Sequence, residues 1–152
     1  MPSPAEESDV AEAAKSTLET LLTKIGITAS VVQGERPFVE GGQEAPVSIA
    51  LNITGEDLGI LIGRRGQTLA SLQYMVRLML AHKLKAWLPV IIDVEGYKQR
   101  RLQALQDLAY RLAEQVQINR APFTLEPMPA YERRIIHLTL AEHPKVTTHS
   151  IG

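Results

Sequence analysis

The spacing of hydrophobic residues along the chain switches between helical and strand-like periods. Apolar residues three and four apart predict a first helix that begins near Asp9 and ends at Gly26. Two stretches rich in β-branched residues, 27–33 and 47–54, predict strands. The polar stretch 34–46 contains two adjacent glycines and predicts a long hairpin loop between these strands.

The next part of the pattern is organised around a pair of glycines. A short helical segment over 56–61 precedes the turn Gly63-Arg64-Arg65-Gly66, and a longer helix is predicted over 67–85. That helix is apolar on most of its circumference, so we expect it to lie across a sheet. A third strand follows at 90–94, which gives the order helix, strand, strand, helix, helix, strand.

A second unit is predicted to begin near Gly96. Its elements are a helix over 97–118, a short strand over 123–126, a helix opened by Pro127 and Pro129 that ends near Ala141, and a last strand over 146–150. The fold class is therefore α+β. We divide the chain into a disordered lead at 1–8, a first domain at 9–95 and a second domain at 96–152.

Composition limits the classes of function. The 152 residues are 45% hydrophobic and include no cysteine, which excludes disulfides and thiolate metal sites. The sequence has no secretory signal pattern and no apolar run long enough to span a bilayer, so we expect a cytoplasmic protein. The net charge is only −1, but residues 1–60 carry −7 and residues 61–152 carry +6. A basic half can bind a polyanion despite a neutral total.

The glycine-bracketed turn is the first candidate site. Gly63 and Gly66 allow backbone angles and close approaches that a side chain would block. The free N–H groups at the start of the following helix favour an anion, and Arg64 and Arg65 add two full charges that we expect to face solvent. These features suit a sugar–phosphate backbone. An ordinary glycine-capped turn between two helices would show the same local pattern.

A second candidate site is a basic strip on the last helix. Arg133 and His137 are four residues apart and share one face, with Arg134 beside them. The alternative is that a partly exposed helix simply turns its charges to solvent. A nuclease using His137 with Glu132 is another reading, but the sequence places no second acid–base group. The histidine spacings match no metal-ligand pattern, so we expect no metal.

Aromatic residues are scarce and scattered, which argues against base stacking on a sheet face. Bases could instead lie over an aliphatic floor, to which Ile60, Leu69 and Leu72 would contribute. Packing in the core is the alternative for each of these three residues.

The two motifs, in this order, carry a resemblance to a known family. Residues 9–95 resemble a type II KH domain, through Ile62-Gly63-Arg64-Arg65-Gly66 between two helices. The second unit resembles an Arg-x-x-x-His (R-3-H) domain, through Arg133-Arg134-Ile135-Ile136-His137. Together they are similar to the bacterial Jag (SpoIIIJ-associated) family.

The resemblance implies binding of single-stranded RNA, with single-stranded DNA as a second ligand, and neither catalysis nor a cofactor. It assigns nucleic-acid binding to Gly63, Arg64, Arg65, Gly66, Arg133 and His137, with Arg134 at least flanking the second site. The family usually continues into a basic final strand after the position of Gly152, which leaves open whether part of the second site is missing. The alternative function is a protein–protein adaptor at membrane-insertion or cell-envelope machinery.

Overall fold

The computed structural model describes residues 4–34 and 49–152. These form two compact units, one comprising 4–34 and 49–98 and the other 99–152, whereas the sequence suggested a boundary at 95–96. The helices and strands are α1 (Pro4–Lys24), β1 (Ser30–Gln33), β2 (Ile49–Thr54), α2 (Gly59–Ile62), α3 (Gln67–Leu84), β3 (Val90–Val94), α4 (Tyr97–Asn119) and α5 (Ala130–Leu140). The predicted α+β class and the predicted order of elements in the first unit are confirmed.

The first unit is a three-stranded sheet with helices packed on it. β1 pairs with β2 antiparallel, with Ser30 opposite Thr54, and β2 pairs with β3 parallel, with Ile49 opposite Val90. Alternate residues of β2 and β3 are buried, as expected for strands with one face on a core. The core lies between this face and helices α1 and α3, and its fully buried side chains include Leu18, Leu51, Ile53, Val76, Leu80 and Ile92.

Two side chains of α3 fix this helix against β3. The Gln73 Oε1 atom accepts a hydrogen bond from the Ile92 N–H at 2.9 Å, and the Arg77 Nε–H donates to the Val90 carbonyl at 2.7 Å. Because Gln73 and Arg77 are one turn apart, the two bonds set the axial position of α3 along the strand. The turn Gly63–Gly66, which leads directly into α3, is positioned by the same two bonds.

α3 lies against the sheet, as its apolar residues predict, but one of its faces is exposed. Leu69, Leu72, Val76 and Leu80 are buried on the sheet side, but the opposite side carries exposed apolar residues, namely Tyr74, Met75, Leu78 and Met79. None of the helices in the described ranges combines the length and apolar character needed to cross a bilayer.

Three further expectations need correction or fall outside the structure. Residues 4–8, predicted as part of a disordered lead, belong to α1. The predicted hairpin loop 34–46 lies almost entirely outside the described residues. The two short strands predicted at 123–126 and 146–150 are not formed in the described part of the second unit, since Leu125 and Val146 pack onto the helical core there instead of joining a ladder.

The second unit is held by two helices. Leu105, Ala109 and Ala113 of α4 and Ile136 and Leu140 of α5 form its buried core. The two small alanines allow the helices to approach closely at this position. This packing fixes α5, the helix that carries the second candidate site.

Candidate nucleic-acid interface

The turn between α2 and α3 has an unusual backbone. After α2 ends at Ile62, a single 3₁₀ turn covers Arg64–Gly66 before α3 begins. Gly63 has φ 70° and ψ −175°, and Gly66 lies in the left-handed region at φ 75°. Arg65 also adopts a left-handed conformation, with φ 55°, which is uncommon for a residue with a side chain. Three of the four turn residues therefore have positive φ, and only the two glycines adopt it without strain.

Neither glycine has room for a side chain. A Cβ at Gly63 would lie 2.1 Å from the Thr68 Oγ1 atom and 3.0 Å from the Thr68 backbone nitrogen. A Cβ at Gly66 would lie 2.8 Å from Cε1 of the Tyr97 ring. The glycines thus bring the turn backbone close to the start of α3 on one side and to an aromatic ring on the other.

The two arginines of the turn differ in exposure. Arg64 is exposed, as expected, while Arg65 is half-buried. The expectation that both side chains face solvent holds for Arg64 and only in part for Arg65. The two residues also differ in backbone conformation, since Arg65 has a positive φ and Arg64 does not.

The N-terminus of α3 is uncapped by a side chain. Gly66 is its N-cap residue and has no side-chain oxygen to accept from the first N–H groups, although the Gln67 N–H donates to the Arg64 carbonyl. Helix N-termini carry unsatisfied N–H groups and partial positive charge. Together with the Arg64 guanidinium, this end of α3 is electropositive and open to an anion such as a phosphate group.

Tyr97 is a contact of this site that sequence reasoning missed. It is the first residue of α4, and its half-buried ring packs against Gly66 and the core of the first unit. No local pattern marks Tyr97, because only the folded chain brings it near a residue about thirty positions earlier. Of the three residues proposed for an aliphatic floor, Leu69 and Leu72 are buried in the core and only Ile60, 73% exposed, is accessible.

In the second unit, α5 directs Arg133 and His137 toward the C-terminal segment. The Arg133 Nη1 group donates to Ser150 Oγ at 2.6 Å and to the Gly152 carbonyl at 3.5 Å. The Nδ1 atom of His137 is hydrogen-bonded to the Thr148 hydroxyl. The structure thus places Arg133 and His137 along one segment, 148–152, and leaves them both half-buried. Arg134, the third basic residue of this helix, is exposed.

Glu132 has a structural partner. Its carboxylate is fully buried and receives two hydrogen bonds from Arg101 of α4, from Nε at 2.8 Å and from Nη2 at 3.0 Å. This bidentate pair joins α4 to α5. Because this carboxylate is buried and paired with Arg101, it is not available as an acid–base group beside His137, and the nuclease reading loses Glu132. Within the described ranges, no three His, Asp or Glu side chains are grouped to hold a metal ion.

Comparison with known sequences finds two domain families in the same order. The family model for the KhpA/KhpB KH domain matches residues 15–92, and the model for the R-3-H domain matches residues 103–152. Both candidate sites fall within these matches, the glycine turn in the first and the α5 strip in the second.

Among curated proteins, several bacterial relatives are named RNA-binding protein KhpB. The Bacillus subtilis relative is 35% identical over 149 residues, which cover 97% of this chain and 67% of the relative. The Clostridium symbiosum relative is 43% identical over 109 residues, covering 72% of this chain and 49% of the relative. The Lactiplantibacillus plantarum relative is 36% identical over 102 residues, or 32% of its own length. The alignments thus cover between about a third and two thirds of these relatives.

Proposed function

The chain belongs to the KhpB family of bacterial proteins, and from this premise we propose that it binds single-stranded RNA in the cytoplasm without catalysing a reaction. The observation that carries the proposal is the turn at Gly63–Gly66. It presents an exposed arginine at an uncapped helix N-terminus, and its two glycines exclude side chains from the backbone there. A turn of this kind clamps the backbone of about four nucleotides in KH domains.

In this proposal Arg64 is the main phosphate contact of the turn. Its guanidinium can donate paired hydrogen bonds to phosphate oxygens, while the N–H groups of α3 add partial charge. Arg65, half-buried, adds positive charge to the turn. The phosphate backbone is common to RNA and DNA, so single-stranded DNA is a second ligand of the same site.

We place a second contact at Arg133 and His137, with Arg134 supplying exposed charge at its edge. Ser150 and Thr148 hydrogen-bond the two side chains and so restrict their rotamers before RNA binds. Two modest sites on one chain raise affinity for a single strand, because binding at one increases the effective concentration at the other.

The first test removes the Arg64 charge. Arg64→Ala should weaken binding of a single-stranded RNA by about ten- to a hundred-fold, since a hydrogen bond to a charged group contributes about 1.5–3 kcal/mol. Fluorescence anisotropy with a labelled strand gives the affinity. Lys24→Ala is the matched control, because it removes one exposed cation of the first unit outside the turn. Equal affinities of wild type and Arg64→Ala would rule out the turn as a phosphate clamp.

A second test addresses Arg133. Arg133→Ala should weaken RNA binding by about 1–2 kcal/mol, the scale of a charge-assisted contact, whereas Arg111→Ala on the exposed side of α4 should not. The melting temperature is recorded for each variant. If Arg133→Ala lowers only the melting temperature and leaves affinity unchanged, Arg133 merely anchors the C-terminal segment.

A second candidate function is contact with a protein partner. It is favoured by the exposed apolar side of α3, with Tyr74, Met75, Leu78 and Met79. Treatment with ribonuclease separates the two functions. Material that co-purifies with the chain should be lost after ribonuclease if RNA is the ligand, and should persist if a protein partner binds directly.

A further inference from the structure

The second unit contains a cavity beside its arginine–histidine pair. The cavity has a volume of about 650 Å³ and lies between α4, α5, the segment 122–128 and the segment 146–151. Apolar side chains of both helices line it, including Leu112, Val116, Ile136 and Leu140. Its volume falls in the usual range of sites for small organic molecules.

Charged and polar groups occur on the wall of the same cavity. Arg133 and His137 line it, together with Thr148 and Ser150, to which they are hydrogen-bonded. The cavity therefore combines an apolar interior with a cation and hydrogen-bonding groups. A nucleotide has the matching distribution, since its base has apolar faces and a polar edge and its phosphate is an anion.

The Arg133 guanidinium has donors that the described residues do not use. Its hydrogen bonds run from Nη1 to Ser150 and Gly152, whereas its Nε–H is buried without an acceptor among the described residues. A guanidinium has five N–H donors, and an unsatisfied buried donor is costly. A phosphate bound at this side chain would offer acceptors to guanidinium donors that the described residues leave unused. A purely apolar ligand would offer none.

An aromatic ring also lines the cavity. Phe123 is 51% exposed although it is a large apolar residue, and it belongs to the segment that forms one wall. Exposed aromatic rings bind unpaired bases by stacking, with little dependence on sequence. Stacking here needs no sheet face, because the ring belongs to a segment that is neither helix nor strand.

We propose that this cavity receives one unpaired base of the strand whose phosphate is bound by Arg133 and His137, with Phe123 as the stacking surface. The inference rests on the proposed function, since it requires that the chain bind single-stranded RNA. It adds a base-binding site to a unit that otherwise contacts only the backbone.

The test uses the full chain and two probes. One probe is an adenylate dodecamer, and the other is an abasic dodecamer with the same sugar–phosphate backbone. Phe123→Ala should weaken binding of the adenylate strand about ten-fold, equivalent to about 1.4 kcal/mol, and should not change binding of the abasic strand. Each variant is compared with wild type on the same strand, so the contribution of the first unit cancels.

Tyr110→Ala is the matched control. Tyr110 is also an exposed aromatic residue of the second unit, at 57%, but it does not line the cavity. Replacing Tyr110 should change neither the affinity for the adenylate strand nor the affinity for the abasic strand. A loss with Tyr110→Ala as large as that with Phe123→Ala would mean that general surface contact, not the cavity, is responsible, and would overturn the proposal.

A direct reporter of the cavity is Met128, which lines it and packs on the core of the second unit. In protein labelled with ¹³C at the methionine methyl groups, the Met128 signal should shift when the adenylate strand binds, because a base ring enters its surroundings. It should stay in place with the abasic strand. The Met75 and Met79 signals, from α3, are internal references.

The outcomes distinguish a failure of the proposed RNA binding from a failure of the cavity proposal alone. If wild type binds neither strand, the proposed function fails and the cavity proposal fails with it. If wild type binds the adenylate strand, but Phe123→Ala is unchanged and Met128 does not shift, RNA binding stands and the cavity proposal is wrong. An equal Met128 shift with both strands would also overturn it, since the cavity would then respond to the backbone alone.

Discussion

Replacing Gly63 with alanine is expected to weaken RNA binding by about 30-fold. The new Cβ would lie 2.1 Å from Thr68 Oγ1 and 3.0 Å from the Thr68 backbone nitrogen, at a φ of +70° that disfavours any side chain. The hydroxyl can rotate away, but the backbone nitrogen belongs to the first turn of α3 and cannot. A strained backbone of this kind costs about 1–3 kcal/mol. If this strain makes the native turn about 30-fold less populated, which corresponds to about 2 kcal/mol, the apparent affinity for RNA also falls about 30-fold.

Gly59→Ala is the control for this experiment. A Cβ at Gly59 meets no atom within 4 Å, and the residue lies in α2, where alanine is favoured over glycine. This variant should bind RNA as wild type does and should be slightly more stable. Anisotropy titrations of both variants, with circular dichroism to verify folding, make the comparison. Wild-type affinity in Gly63→Ala would show that the precise turn geometry is not needed for binding.

The largest expected effect on stability comes from Arg101→Met. The change leaves the Glu132 carboxylate fully buried without its partner, and breaking a buried ion pair in this way costs about 3–5 kcal/mol. We expect the lower part of that range, because Glu132 lies in the first turn of α5, where the helix dipole still favours a negative charge. Urea denaturation followed by circular dichroism gives the free energy of unfolding.

Two companion variants make this result specific. The double variant Arg101→Met with Glu132→Leu should recover most of the loss, since no buried charge then remains. Arg111→Met removes an exposed cation from the same helix and should change the free energy of unfolding by less than about 0.5 kcal/mol. If Arg101→Met has the same urea midpoint of unfolding as the wild type, the Arg101–Glu132 pair does not stabilise the packing of α5 on α4. Because Glu132 precedes Arg133, a displaced α5 should also reduce RNA binding.

The sequence alone determined the elements with strong local signals. β3 was predicted at its observed limits, and α3 and α4 within one residue at either end, because apolar periodicity and bordering glycines or prolines define such elements locally. The turn Gly63-Arg64-Arg65-Gly66 was visible for the same reason. Apolar residues at 125 and 146 gave a misleading strand signal, since a strand also needs a partner with which to form a ladder.

Only the tertiary structure decided which side chains meet. Arg101 and Glu132 are 31 residues apart, and nothing in either local pattern indicates that they pair. The same holds for Tyr97 against Gly66 and for Thr148 and Ser150 on His137 and Arg133. Local periodicity specifies which face of a helix is buried, but the identity of its partner depends on how the elements pack. The sequence therefore named the charged residues of the proposed site, while packing determined that Arg64 and Arg134 are exposed and that Arg133 and His137 are hydrogen-bonded to the C-terminal segment.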